Sequence, residues 1–211
     1  MSVPILLAVA VVVLAVVVAV AIGRQKDPRR RAGTLVKTGL ALMTVFTLLA
    51  GAFIGGYAMD EPGGQAGLMM ILSWAAPALV LAVLAWFWPA GSAPLLVALT
   101  AVLVAVCIWF ALDPAAARDI QNAHGPVLAI GVVVLAFAAA VLGLERTRTA
   151  GWLLLALGAV PLLITVLARS GPAASLAAAS VVPLVTGAIY LVASLMTRGK
   201  STPESKRAAA A

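Results

Sequence analysis

The sequence predicts an all-α integral membrane protein, and three observations carry that prediction. Only 10% of the 211 residues are charged, against 64% hydrophobic, whereas a soluble domain carries about 25% charged residues because its surface faces water. The apolar residues fall in blocks of roughly 20, the length a helix needs to cross about 30 Å of hydrocarbon. Within the blocks apolar and polar residues do not alternate, so a barrel with a watery lumen is disfavoured.

Seven blocks stand out, at 3–23, 34–59, 67–88, 95–112, 126–144, 151–168 and 175–196. The first is nearly pure Val, Ala, Leu and Ile, and its basic residues (Arg24, Lys26, Arg29, Arg30, Arg31) follow rather than precede it. A cleaved signal peptide has the opposite order, so the block reads as an uncleaved anchor with its N-terminus outside. The basic segment 24–37 is then a cytoplasmic loop. The second block ends at Asp60, Glu61, Pro62, Gly63 and Gly64, whose Pro and Gly stop a helix. Residues 89–94 suggest a short uncharged inner turn between the third and fourth blocks. Pro126 suits the first position of the fifth helix. Residues 145–149, with Arg146 and Arg148, return the chain to the cytoplasm, and an outer turn through Arg169, Gly171 and Pro172 leads to the last block. The basic tail 197–211 is expected to be disordered.

Charge supports this threading. Twelve of the fourteen basic residues fall on the inner side and only Arg118 and Arg169 outside, whereas four of the seven acidic residues fall outside. Basic loops mark the cytoplasmic face, which places the N-terminus out and the C-terminus in. The net charge of +7 therefore needs no nucleic-acid partner. Trp86, Trp88 and Trp152 sit at inner helix ends, Trp109 and Tyr57 at outer ones, as interfacial aromatics do. Richness in Ala, Val, Leu, Gly and Arg suggests a GC-rich bacterial genome and hence a bacterial inner membrane.

An internal similarity points to a 3+3 inverted repeat after the first helix. Gly67 and Pro77 are spaced like Gly151 and Pro161, and Glu61 and Glu145 precede them at the same offset. Tandem three-helix units have opposite orientations in the membrane, as in many transporters. Recurrence of common residues in a low-diversity sequence gives the same pattern.

No Asp, Glu, Lys, Arg or His lies in the central part of any block. That argues against proton- or ion-coupled transport. The single cysteine, Cys107, and single histidine, His124, leave no disulfide, haem or cysteine-based metal motif, and no cofactor is expected. The densest polar stretch, 113–124, reads as a short interfacial helix capped by Asp113, with Pro114 in its first position. Asp113, Asp119 and His124 are its candidate catalytic residues. Asp60 and Glu61 on the same outer face, with His124, are candidate metal or head-group ligands. The plain alternative is that a loop meeting water must be polar.

Arg29, Arg30 and Arg31 either bind anionic lipid head groups or only fix topology. Gly51 and Gly55, with Gly56 beside them, permit close approach of another helix, in this chain or in a partner. Pro77, Pro161 and Pro183 are expected to kink their helices and free backbone carbonyls, which Ser73, Thr100, Thr165, Ser180 and Thr186 are placed to satisfy.

Three functions are consistent with this sequence. First comes a non-catalytic subunit or scaffold of a larger envelope complex, with the lipid bilayer and a membrane-protein partner or second copy as its contacts. A small transporter or flippase for a neutral or amphipathic solute follows. An outer-face enzyme acting on lipid-linked substrates is the third.

Overall fold

The computed structural model describes residues 27–60, 63–124, 126–168 and 173–198. The block 3–23, Glu61, Arg169 and the tail beyond residue 198 lie outside them. Among the described residues the protein is all-helical: α1 (Pro28–Asp60), α2 (Gly64–Phe87), α3 (Pro89–Leu112), α4 (Pro114–His124), α5 (Val127–Leu142), α6 (Thr147–Ala168) and α7 (Ala173–Arg198). Among the described residues four helices, running over Arg29–Asp60, Gly64–Phe87, Pro89–Leu112 and Ala179–Thr197, are long and apolar enough to cross a membrane.

The helix ends follow local chemistry. α1 starts six residues before the apolar block, so most of the expected basic loop is helical. Asp27 explains the start: its Oδ1 accepts from Arg29 N at 3.0 Å and its carbonyl from Arg31 N at 3.0 Å. Pro28 fits the first position, where no N–H is needed, and the arginines that follow are good helix formers.

α1 and α2 meet at Gly63 and Gly64, with φ of 69° and 56°, a region that favours glycine. A Cβ on Gly67 would collide with the Ala58 carbonyl, so the two helices pack closely where they turn.

The inner turn expected at 89–94 is instead helical. Only Trp88 breaks the path between α2 and α3. Its N–H donates to Leu84 O at 2.8 Å and its carbonyl accepts from Ser92 N at 3.0 Å. Pro89 then takes the first position of α3, and the ring sacrifices no helical bond there. The indole of Trp88 lies over Gly91, where a Cβ would come within 2.7 Å of it.

The expected short helix at 114–124 is present as α4, with Asp113 capping it: Asp113 Oδ1 accepts from Ala116 N at 3.1 Å. Ala117 and Ile120 turn inward against Cys107, Phe110 and Leu128, while Arg118 and Asp119 face outward. Asp113→Ala is expected to remove about 1 kcal/mol. Amide exchange should accelerate over Pro114–His124 and not in the other helices.

The core centres on α5. Eleven of its 16 residues are buried, and it packs against α1, α2, α3, α6 and α7. A helix that is apolar on every face is buried in a core or crosses a membrane, and α5 is enclosed by its neighbours. The most extensive helix pair is α6 with α7, which approach through glycines. A Cβ on Gly158 would lie 2.8 Å from Ser180 O, and one on Gly187 would lie 2.9 Å from Leu155 N and 3.0 Å from Gly151 O. Backbone touches backbone here.

Tyr190 joins three helices. It is fully buried, and its hydroxyl donates to Ala140 O on α5 at 2.9 Å. One edge of its ring occupies the space over Gly39 on α1, and the other edge the space over Gly143 at the end of α5.

Candidate functional site

Part of the carboxylate set expected on the outer face lies within the described residues. Asp60, Asp113 and Asp119 are exposed, and among the described residues no group of three or more His, Cys, Asp or Glu side chains is placed to hold a metal. Glu61 and the His124 side chain lie outside the described residues.

Gly51 and Gly55 serve packing within the chain. The Trp74 indole of α2 lies against Gly51, 2.6 Å from where a Cβ would stand, and Ile71 approaches Gly55, while Gly56 has open space around it. Pro77 is exposed, whereas Pro161 and Pro183 are fully buried. The hydroxyls expected to satisfy freed carbonyls mostly do not. Ser73 donates to Met70 O at 2.7 Å, but the buried hydroxyls of Thr100, Ser180 and Thr186 have no partner, nor does that of Ser92. Thr165 lies outside the residues whose side chains are described.

The most developed polar feature is a groove of about 640 Å³ at the end of the bundle where α1 and α6 begin and α7 ends. α1 contributes Arg29, Gly33 and Lys37, the connection into α6 contributes Glu145, Arg146, Thr147, Arg148 and Thr149, and α7 contributes Ser194 and Thr197. Local sequence explains the arrangement. Arg29, Gly33 and Lys37 are four apart and so share one helix face. A Cβ on Gly33 would meet nothing within 4 Å, so this glycine leaves space between the two cations. α5 stops at Gly143, and the turn bonds Leu144 N to Val141 O and Arg146 N to Leu142 O lift Arg146 and Arg148 to the rim.

Four cations and one carboxylate, Glu145, therefore line one recess. Among the described residues none of the four cations is ion-paired. The first turn of α6 opens there as well, and its N–H groups have no acceptor within the helix. Cations, a helix N-terminus and nearby hydroxyls make an environment suited to an anion. Of the three arginines singled out in the sequence, Arg29 lines the groove and Arg30 and Arg31 do not.

A second cleft, of about 630 Å³, runs between α3 and α6. Its walls are mainly apolar: Val97, Ala101 and Val104 on one side, Trp152, Leu153 and Ala156 on the other. Arg148 and Thr149 line both spaces. Sequence reading missed this pairing, since Val97 and Trp152 are ordinary residues of separate spans. The available signal was Arg148 lying one turn before Trp152.

No family model matches this chain, and neither a curated protein nor a solved structure shows significant similarity to it.

Proposed function

We propose that the chain is a non-catalytic supporting subunit or scaffold of a bacterial envelope complex, set in the inner membrane. It crosses the bilayer seven times, through the block 3–23 and α1, α2, α3, α5, α6 and α7, while α4 lies at the outer interface. The observation that supports this reading best is the locked interior. α6 and α7 meet backbone to backbone at Gly158 and Gly187, and Tyr190 pins α1, α5 and α7 together. Interiors packed at this density resist sliding, which suits a part that holds others in place. The orientation draws support from the gathering of Arg29, Lys37, Arg146 and Arg148 at one end, because cytoplasmic ends collect basic residues.

Transport has less behind it. A two-fold repeat relating α1, α2 and α3 to α5, α6 and α7 makes the α2–α5 contact equivalent to an α1–α6 contact. Among the described residues the first pair packs and the second is not a packed pair. The extensive α6–α7 contact likewise has only a slight counterpart between α2 and α3. An outer-face enzyme has Asp113 and Asp119 to work with, and both are exposed.

The reading is tested by purifying the tagged protein from its native membrane in mild detergent and identifying what is retained by mass spectrometry. A stoichiometric membrane-protein partner is expected. Recovery of the protein alone, across several detergents and after cross-linking in the membrane, would count against a subunit role.

A further inference from the structure

We propose that the basic groove and the α3–α6 cleft form one binding site for an anionic phospholipid, with the phosphate in the groove and an acyl chain in the cleft. Three independent features converge on this occupant. The groove offers Arg29, Lys37, Arg146 and Arg148 without ion-pair partners among the described residues, beside the open first turn of α6. Phosphate matches that combination of cations and free N–H groups.

The cleft supplies the second feature. It continues from the groove through Arg148 and Thr149, and its walls are apolar from Val97 to Val104 along α3, a rise of about 10 Å. A free phosphate or a soluble phosphate ester has no use for such a wall, whereas an acyl chain does.

The third feature is Thr100. It is 6% exposed, its hydroxyl has no hydrogen-bond partner, and it lines the cleft. A buried, unpaired hydroxyl is costly, and because its oxygen has almost no accessible surface, the walls of the cleft must part for a lipid ester carbonyl to reach it. Against the four cations Glu145 is the single carboxylate lining the groove, so the recess keeps an excess of positive charge for an anionic head group. The site stands on the geometry of the groove and cleft and is independent of the subunit reading.

The test uses the full-length protein in nanodiscs of phosphatidylcholine, titrated with phosphatidylglycerol and followed by native mass spectrometry. Glycerol 3-phosphate serves as the head group without chains. Parent protein should bind phosphatidylglycerol over phosphatidylcholine and bind glycerol 3-phosphate far more weakly.

The double variant Arg146→Gln, Arg148→Gln should weaken phosphatidylglycerol binding by about 30-fold, at the usual effect of a basic residue near an anionic lipid. Gly33→Leu fills the groove with every charge retained, at a position where a Cβ meets nothing within 4 Å, and should weaken binding at least tenfold. Ala101→Phe, at an exposed position lining the cleft, should weaken the lipid and leave glycerol 3-phosphate unchanged. Unaltered phosphatidylglycerol affinity in Gly33→Leu and in the double variant, both still monodisperse, would overturn the site. Equal affinity for glycerol 3-phosphate and the lipid would also overturn it, in favour of a soluble anion.

Discussion

Gly158→Leu is expected to prevent normal assembly of α6 on α7 and to cause a large loss of stability. The added Cβ alone would stand 2.8 Å from Ser180 O and 2.9 Å from Leu184 N. Those atoms belong to the backbone, so no rotamer change makes room. Overpacking a tight site costs about 1–3 kcal/mol when side chains yield, and Gly158→Leu should exceed the top of that range. Gly187→Ala, facing Leu155 N and Gly151 O, should fall within it. Gly56→Ala is the control: with nothing within 4 Å of its Cβ and a helical backbone, it should be neutral or stabilise by up to about 1 kcal/mol. Unfolding midpoints in a fixed detergent give the comparison. Gly158→Leu behaving like Gly56→Ala would mean that α6 and α7 do not lie this close.

The second large effect is expected at Tyr190, where two substitutions separate ring from hydroxyl. Tyr190→Ala empties the space between Gly39 and Gly143 and should cost about 3–5 kcal/mol, as large aromatic deletions in cores do. Tyr190→Phe keeps the ring and removes only the 2.9 Å bond to Ala140 O. That carbonyl also accepts from Gly143 N at 3.2 Å and is not orphaned. Buried side-chain bonds in membrane proteins are worth about 0.6 kcal/mol on average, so Tyr190→Phe should be nearly silent. Packing of the ring, not the hydrogen bond, then joins α1, α5 and α7. Comparable losses for the two variants would reverse that assignment.

Why some of this was legible in the sequence follows from where the determining forces act. Helix existence came from long apolar runs, and the α4 cap from Asp113 next to Pro114, both local signals. The basic start of α1 was misread as a loop because hydropathy marks the span and not the helix, which Asp27 and Pro28 begin earlier. Residues 89–94 were misread as a turn, although Pro89 sits where a helix accepts a proline. The candidate site was only partly legible. Membrane sidedness grouped Arg29, Lys37, Arg146 and Arg148 on one face, but their convergence on one groove depends on α1, α6 and α7 meeting around the end of α5. Tyr190 was overlooked because its partners, Gly39, Ala140 and Gly143, are distant in sequence and apolar. Its phenol deep in an apolar span was the available clue, since such a group needs an acceptor.

The enclosure of α5 bears on how the protein meets membranes of different thickness. Its 16 residues rise about 24 Å, less than the roughly 30 Å of a typical hydrocarbon layer, whereas α2 and α3, of 24 residues each, rise about 36 Å. α2 and α3 expose many large apolar side chains, whereas eleven of the 16 residues of α5 are buried. Hydrophobic mismatch is therefore felt at the rim, where it is relieved by tilt at a fraction of a kcal/mol per ångström, while the hub stays short.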